Sequence, residues 1–184
     1  MYEYTEVDGW VQLGLDIDGE AASDKSGGSV SLSSDGTRVA IGARTNDGRW
    51  SDSGHVRVFD WDGSSWSQVG KDIDGEDVKD YSGGSVSLSS DGSIVAIGAT
   101  GNDGNGKSSG HVRLYGYDGS SWKQLGDDID GEAEGDGSGN SASLSSDGSR
   151  VAIGALSNDD NGLSSGHVRV YEIVAAPTCP RRIY

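Results

Sequence analysis

Cysteine is nearly missing from this sequence: Cys179 is the one thiol among 184 residues. An intrachain disulfide is excluded, and no covalent staple holds the fold. A lone thiol fits a reducing compartment or a bond between chains. Proline is almost as scarce, with Pro177 and Pro180 both near the C-terminus, so no proline interrupts the rest of the chain. No apolar run reaches the length of a membrane-crossing helix, and membrane insertion is not expected. The opening Met1 to Glu6 lacks the basic-then-apolar pattern of a secretion signal. Basic residues are few: 14 against 30 acidic ones, a formal net charge of -16. Such a chain repels phosphate backbones and anionic lipid, which excludes nucleic acid as a partner, and suits cations or basic partners. No cysteine pair offers zinc ligation, and no glycine-rich loop leads into a helix to cradle phosphate.

Glycine, by contrast, is abundant at 31 residues, and counting it with the 33% apolar residues restores an ordinary globular composition. Tryptophans at 10, 66 and 122 are spaced 56 residues apart and mark an internal repeat without insertion or deletion. Each unit opens on Trp-x-Gln-x-Gly-x-Asp-Ile-Asp-Gly-Glu, at 10–20, 66–76 and 122–132. Ser-Val-Ser-Leu-Ser-Ser-Asp-Gly follows at 29–36 and 85–92, and at 141–148 with Ala142 in second place. Val-Ala-Ile-Gly-Ala comes next, at 39–43, 95–99 and 151–155. Ser-Gly-His-Val-Arg begins the last segment, at 53–57, 109–113 and 165–169. The chain divides into a lead (1–9), three repeats (10–65, 66–121, 122–173) and a tail (174–184).

Apolar and small residues alternate with period two in these segments, the mark of β-strands. Four strands per period are predicted: A (29–33), B (38–43), C (55–61) and D (66–73). Short Ser-Asp-Gly turns connect them as antiparallel hairpins. No window carries a helical period. The expected fold is all-β, a β-propeller of four-stranded antiparallel blades. A β-trefoil or β-prism also has three-fold repetition; a β-solenoid fits less well, since its strands are parallel.

The chain starts with a D strand and ends with a C strand. The D strand at Trp10 can complete the blade whose A, B and C strands lie last, in a velcro closure. Three blades would crowd a ring, so the expected partner is a second copy, giving a homodimer with six blades.

At the segments 27–30, 41–43 and 54–59, followed by Trp66, the chain resembles the FG-GAP repeat family, the propeller repeats of integrin alpha chains and many secreted microbial and algal proteins. The resemblance spans residues 10 to 173 and implies an extracellular propeller. Ser26, Ser82 and Ser138 stand where the family has Phe, and Arg44, Thr100 and Leu156 where it often has Pro. Calcium-binding members carry an acidic loop between the first two strands. Here that stretch is only Ser34-Asp35-Gly36-Thr37, so the calcium site is not carried over and no cofactor is expected.

Candidate ligand-binding residues lie in the loop between strands B and C: Asn46 and Asp47, Asn102 and Asp103, Asn158 and Asp159. Ordinary Asx turns explain these equally well. Trp50, where the other repeats have Gly106 and Gly162, could stack on a sugar or anchor a protein. Trp61 also breaks the repeat. Asp16, Asp18 and Glu20 offer alternate oxygens for calcium, but too few. His55, His111 and His167, with Arg57, Arg113 and Arg169, read as packing between blades, the arginines pairing with the repeated aspartates. Nearly every feature occurs three times, whereas a catalytic centre is single and asymmetric, so catalysis is not expected. The leading expectation is a non-catalytic binding or adhesion module for a glycan or protein. A self-assembling structural scaffold is the alternative, and a carbohydrate-active enzyme the third.

Overall fold

The computed structural model describes residues 9–174 and the backbone of residues 2–5. Cys179 and the rest of the tail beyond residue 174 lie outside the described residues. Among these the chain is all β: fifteen strands, every ladder antiparallel, and no helix.

A hairpin of β1 (Tyr2–Thr5) and β2 (Gly9–Gln12) comes first. The first large sheet holds β3 (Ser29–Leu32), β4 (Arg38–Ala43), β5 (His55–Trp61) and β6 (Trp66–Gln68) in that order, with β7 (Ile73–Asp74) also on β5. The middle sheet repeats this with β8 (Ser82–Leu88), β9 (Ile94–Ala99), β10 (His111–Tyr117), β11 (Trp122–Gln124) and β12 (Ile129–Asp130). The last sheet has β13 (Ser138–Leu144), β14 (Arg150–Ala155) and β15 (His167–Glu172).

Two details differ from the expected strands. Strand D is broken into β6 and β7: the two residues of β5 between Phe59 and Val56 face the four between Gln68 and Ile73 on its partner. The excess is taken up at Gly70, whose φ of 76° is open to glycine, and the Gln68 amide donates to Asp72 at 2.6 Å across the bend. The second difference concerns closure. β2 does not meet β15; it pairs with β1, Tyr2 opposite Gln12 and Tyr4 opposite Trp10. That is the register in which Phe59 faces Gln68 and Trp61 faces Trp66 on β5 and β6. β1 therefore occupies the ladder position that a C strand takes elsewhere.

Alternation decides what each sheet buries. Ala40, Val56, Val58 and Ile73 of the first sheet pack on Val86, Leu88, Val95 and Ile97 of the middle one. Ala96, Val112 and Leu114 do the same against Val151 and Ile153 of the last. Burying a Val or Leu side chain of this kind contributes roughly 1.5–3 kcal/mol. Small residues let the backbones come close beside these patches. The Ser29 hydroxyl donates to the Gly83 carbonyl at 2.7 Å and Ser85 to that of Gly139 at 2.8 Å. The Leu88 and Leu144 amides donate to the hydroxyls of Ser31 and Ser87, each at 2.9 Å. At the turns, the Asp62 and Asp118 carboxyls are lowered to about 2. The backbone N–H of Ser65 and Ser121 is the largest cause, followed by Ser64 and Ser120.

A Cβ on Gly42 would strike the Gly83 carbonyl, and one on Gly98 that of Gly139. At Gly154, the same position in the last sheet, a Cβ meets only Ser141 of its own sheet. Gly98→Ala should lower stability by about 2–3 kcal/mol, and Gly154→Ala by about 1 kcal/mol or less. Urea unfolding of the two variants at low protein concentration makes the comparison; equal losses would show that this close approach is unimportant.

Candidate functional site

The loops after β4, β9 and β14 hold the residues that the sequence singled out for ligand binding, and most are engaged within the chain. The Asn46 amide is buried and donates to Asp24 at 2.9 Å, while its carbonyl oxygen accepts from the Gly48 amide at 2.7 Å. Asn158 donates to Asp136 at 3.1 Å, and Asn102 reaches Asp80 at 3.5 Å. Asp47, Asp103 and Asp159 each accept from the amide five residues on, at Asp52, Ser108 and Ser164. Those three residues have φ of 53°, 52° and 49°, and the carboxylates brace this left-handed backbone. Trp50 stands apart with about half its surface exposed. Trp61 has a packing role: its ring lies 5.3 Å from that of Trp66, as Tyr117 does from Trp122 at 5.1 Å.

The Asp-Ile-Asp-Gly-Glu segment does not gather its own carboxylates; it divides them between two junctions. Glu20 faces the following His55, which also meets Asp72, the counterpart of Asp16 in the next repeat. Glu76, His111 and Asp128 form the same set one period on, their donor atoms all within 4.8 Å of one another. At the last junction Glu132 and His167 are joined by Asp160. The His Nδ1 to carboxylate distances are 3.8 and 4.0 Å at His55, 3.5 Å at His111 and 3.6 Å at His167.

Arginines fix the segment in place. Arg57, Arg113 and Arg169 donate to the backbone carbonyls of Asp18, Asp74 and Asp130 at 2.6, 2.9 and 2.7 Å. The expected pairing with the aspartates is thus with their main chain, and the carboxylate partners are Glu20, Glu76 and Glu132 at 3.8, 3.1 and 3.2 Å. Each guanidinium also lies over an aromatic ring, of Phe59, Tyr115 or Tyr171.

His111 is 1% exposed, and among the described residues neither ring nitrogen has a hydrogen-bond partner. Burial first, then the neighbouring Arg113, push its pKa below the ordinary 6.5, against the pull of Asp128, Asp80 and Asp130. Burial raises the Glu76 pKa; Arg113 opposes this and Asp128 adds to it. A neutral imidazole and two carboxyl groups are all lone-pair donors. The sequence showed each half of this set three times, but their meeting across a junction needs the fold.

No family model matches the chain, and no curated protein matches it. Among solved structures it is similar to the hydrazine synthase of Kuenenia stuttgartiensis, at 14% identity and a TM-score of 0.48 over 80% of this chain and 45% of that one. It is also similar to a candidate 6-phosphogluconolactonase of Bacteroides uniformis, at 16% identity and a TM-score of 0.44 over 81% of this chain and 42% of that one. The chain spans less than half the length of either.

The lowered His111 pKa has a stability consequence whose sign is fixed. Below 6.5 the unfolded chain takes up a proton that the folded chain resists. This contribution is fully present above 6.5 and is lost as pH falls towards the folded pKa. Glu76, being raised, acts in the opposite sense and from nearer 4.5 upward. Chelator-treated protein should therefore lose stability from pH 7 to pH 5.5, and His111→Gln should show a flatter profile. Urea melts across that range are the check; parallel profiles would count against a neutral buried imidazole.

Proposed function

We propose that the chain is a non-catalytic β-propeller segment that works by self-association, two copies joining head to tail into a six-bladed ring. The supporting observation is how unequally matching residues are buried. Val86 in the middle sheet is 9% exposed, whereas its counterpart Val30 in the first sheet is 62% exposed. Val112 in the middle sheet is fully buried, whereas Val168 in the last is 68% exposed. Leu32 and Val170 repeat the pattern. The middle sheet covers both of its faces with the very surfaces that the outer sheets leave bare. Leu15, Val30, Leu32, Val39, Ile41 and Trp66 line an open groove of about 530 Å³ on the first sheet. The matching surface for this groove is the Val168 and Val170 face, just as Val56 and Val58 meet Val86 and Leu88 inside the chain.

Closing such a ring places β2 of one copy beside β15 of the other, with Gln12 opposite Tyr171 and Trp10 opposite Ile173 by analogy with β5 and β6. β1 holds that ladder position on β2, so it gives way to β15 when the copies join. The recurrence of the histidine–carboxylate and arginine–glutamate contacts three times along the chain supports a scaffold over a catalytic centre.

Light scattering on purified protein at micromolar concentration should give twice the 19.0 kDa of one chain. Val168→Asp and Leu32→Asp should each be monomeric. Mixing the two should restore a dimer, because one unaltered junction remains. Removing residues 2–5 should tighten association. A monomeric wild type, or a mixture that stays monomeric, would overturn the head-to-tail reading.

A binding or adhesion role is the second reading, favoured by Trp50 alone. It is a half-exposed indole in a loop where the other repeats have glycine, a surface suited to a sugar face or a protein partner. A glycan array comparing wild type with Trp50→Ala tests it. Signal lost in the variant would support the reading, and no signal in either would remove the glycan.

A further inference from the structure

We propose that Glu76, His111 and Asp128 form a binding site for a divalent transition-metal ion of the zinc class. Glu20, His55 and Asp72 make a second site of the same composition one junction earlier. Three independent features converge here. The first is the unpaired imidazole: His111 is almost wholly buried, yet among the described residues neither of its nitrogens has a hydrogen-bond partner, and Nδ1 faces Asp128 Oδ2 at 3.5 Å. Buried polar groups are nearly always satisfied, and one that is not asks for a ligand.

The second feature is spacing. Tetrahedral zinc with ligands at 2.0–2.1 Å has neighbouring ligand atoms about 3.3–3.4 Å apart. The imidazole-to-carboxylate distances of 3.5 Å at His111, and 3.8 and 4.0 Å at His55, must contract by about 0.1 to 0.7 Å to reach that spacing, and all the ligand atoms of each set lie within 4.8 Å of one another. The third is charge. Asp128, Asp80 and Asp130 surround His111 together with Glu76, and Arg113 is the counter-charge beside them. A dication would relieve the repulsion between the two carboxylates. One nitrogen and two oxygens suit zinc, cobalt or manganese, whereas calcium takes an all-oxygen set of six to eight. Asp128 is half-buried and Glu76 reaches in from the surface, so an ion has a way in. Arg113, held to Glu76 at 3.1 Å, orients that carboxylate without being able to bind the ion itself.

The test uses full-length chain in a Cys179→Ser background, which removes the one thiol. Chelator-treated protein is titrated with zinc chloride by calorimetry, and with cobalt for its visible absorption. Zinc should bind at micromolar concentration, and cobalt should give the intense bands of a tetrahedral site. Calcium should not compete. His111→Gln should lower the zinc stoichiometry by one equivalent, and His55→Gln with His111→Gln by two. Asp128→Asn, at a half-buried carboxylate, serves if the histidine variant fails to fold. Circular dichroism of the metal-free variants confirms that each is folded. Absence of zinc uptake by wild type, or uptake that neither His111→Gln nor Asp128→Asn reduces, would overturn the site. Displacement of zinc by equimolar calcium would do the same.

Discussion

The fold depends on how closely the backbones of successive sheets approach one another. Gly42 and Gly98 lie against the carbonyls of Gly83 and Gly139, where no side chain fits. Ser29 and Ser85 reach across to those same carbonyls. Everything else at a junction follows from that distance. With the inner strands pressed together, Val56 and Val58 can touch Val86 and Leu88. The outer rim then closes through the Trp66 and Trp122 indoles, which donate to the carbonyls of Leu13 and Val69, each at 3.0 Å. A bulkier inner strand would hold the sheets apart and leave these apolar patches wet.

The sheets share a sequence pattern but not an environment, and the differences are informative. β8 and β13 begin at Ser82 and Ser138, whereas β3 begins three residues later in the pattern, at Ser29. The longer strands are held from outside, by parallel bridges from Gly54 to Ser82 and from Gly110 to Ser138. The bridge in each case comes from the sheet before. Among the described residues the first sheet has no such neighbour, and its inner strand is shorter. Residues 26–33 and 82–89 are identical in sequence, yet only the second run is paired from its first residue; the neighbour sets the length.

Much of this was legible in the residues. Period-two alternation in 29–33, 38–43 and 55–61 marked the strands, and Ser-Asp-Gly marked the hairpins, because both are local signals. The all-β class and the antiparallel pairing follow from them. Strand D was less legible: Trp66 to Ile73 alternates well enough, but its bend at Gly70 depends on the Val58 carbonyl and on Asp72. The Asp47 contact is local, as a turn reading allows, but the tie from Asn46 to Asp24 was hidden, since that partner lies 22 residues away and is brought in by loop closure. Least visible of all was the meeting of Glu76, His111 and Asp128. Each belongs to a segment that repeats perfectly, and repetition reads as architecture until the junction brings the three side chains together.

The Asp-Ile-Asp-Gly-Glu segment looks one way with its glutamate and the other way with its first aspartate, as Asp72 and Glu76 do towards His55 and His111. The acid–imidazole clusters at His55 and His111 therefore draw on two successive units and belong to neither alone. A solitary 56-residue copy would lack the aspartate that the next unit supplies to those two clusters. Growth by duplication adds a seam with every copy, so binding capacity would rise in step with the number of units, and a ring would carry one more seam than the same units laid out in a row.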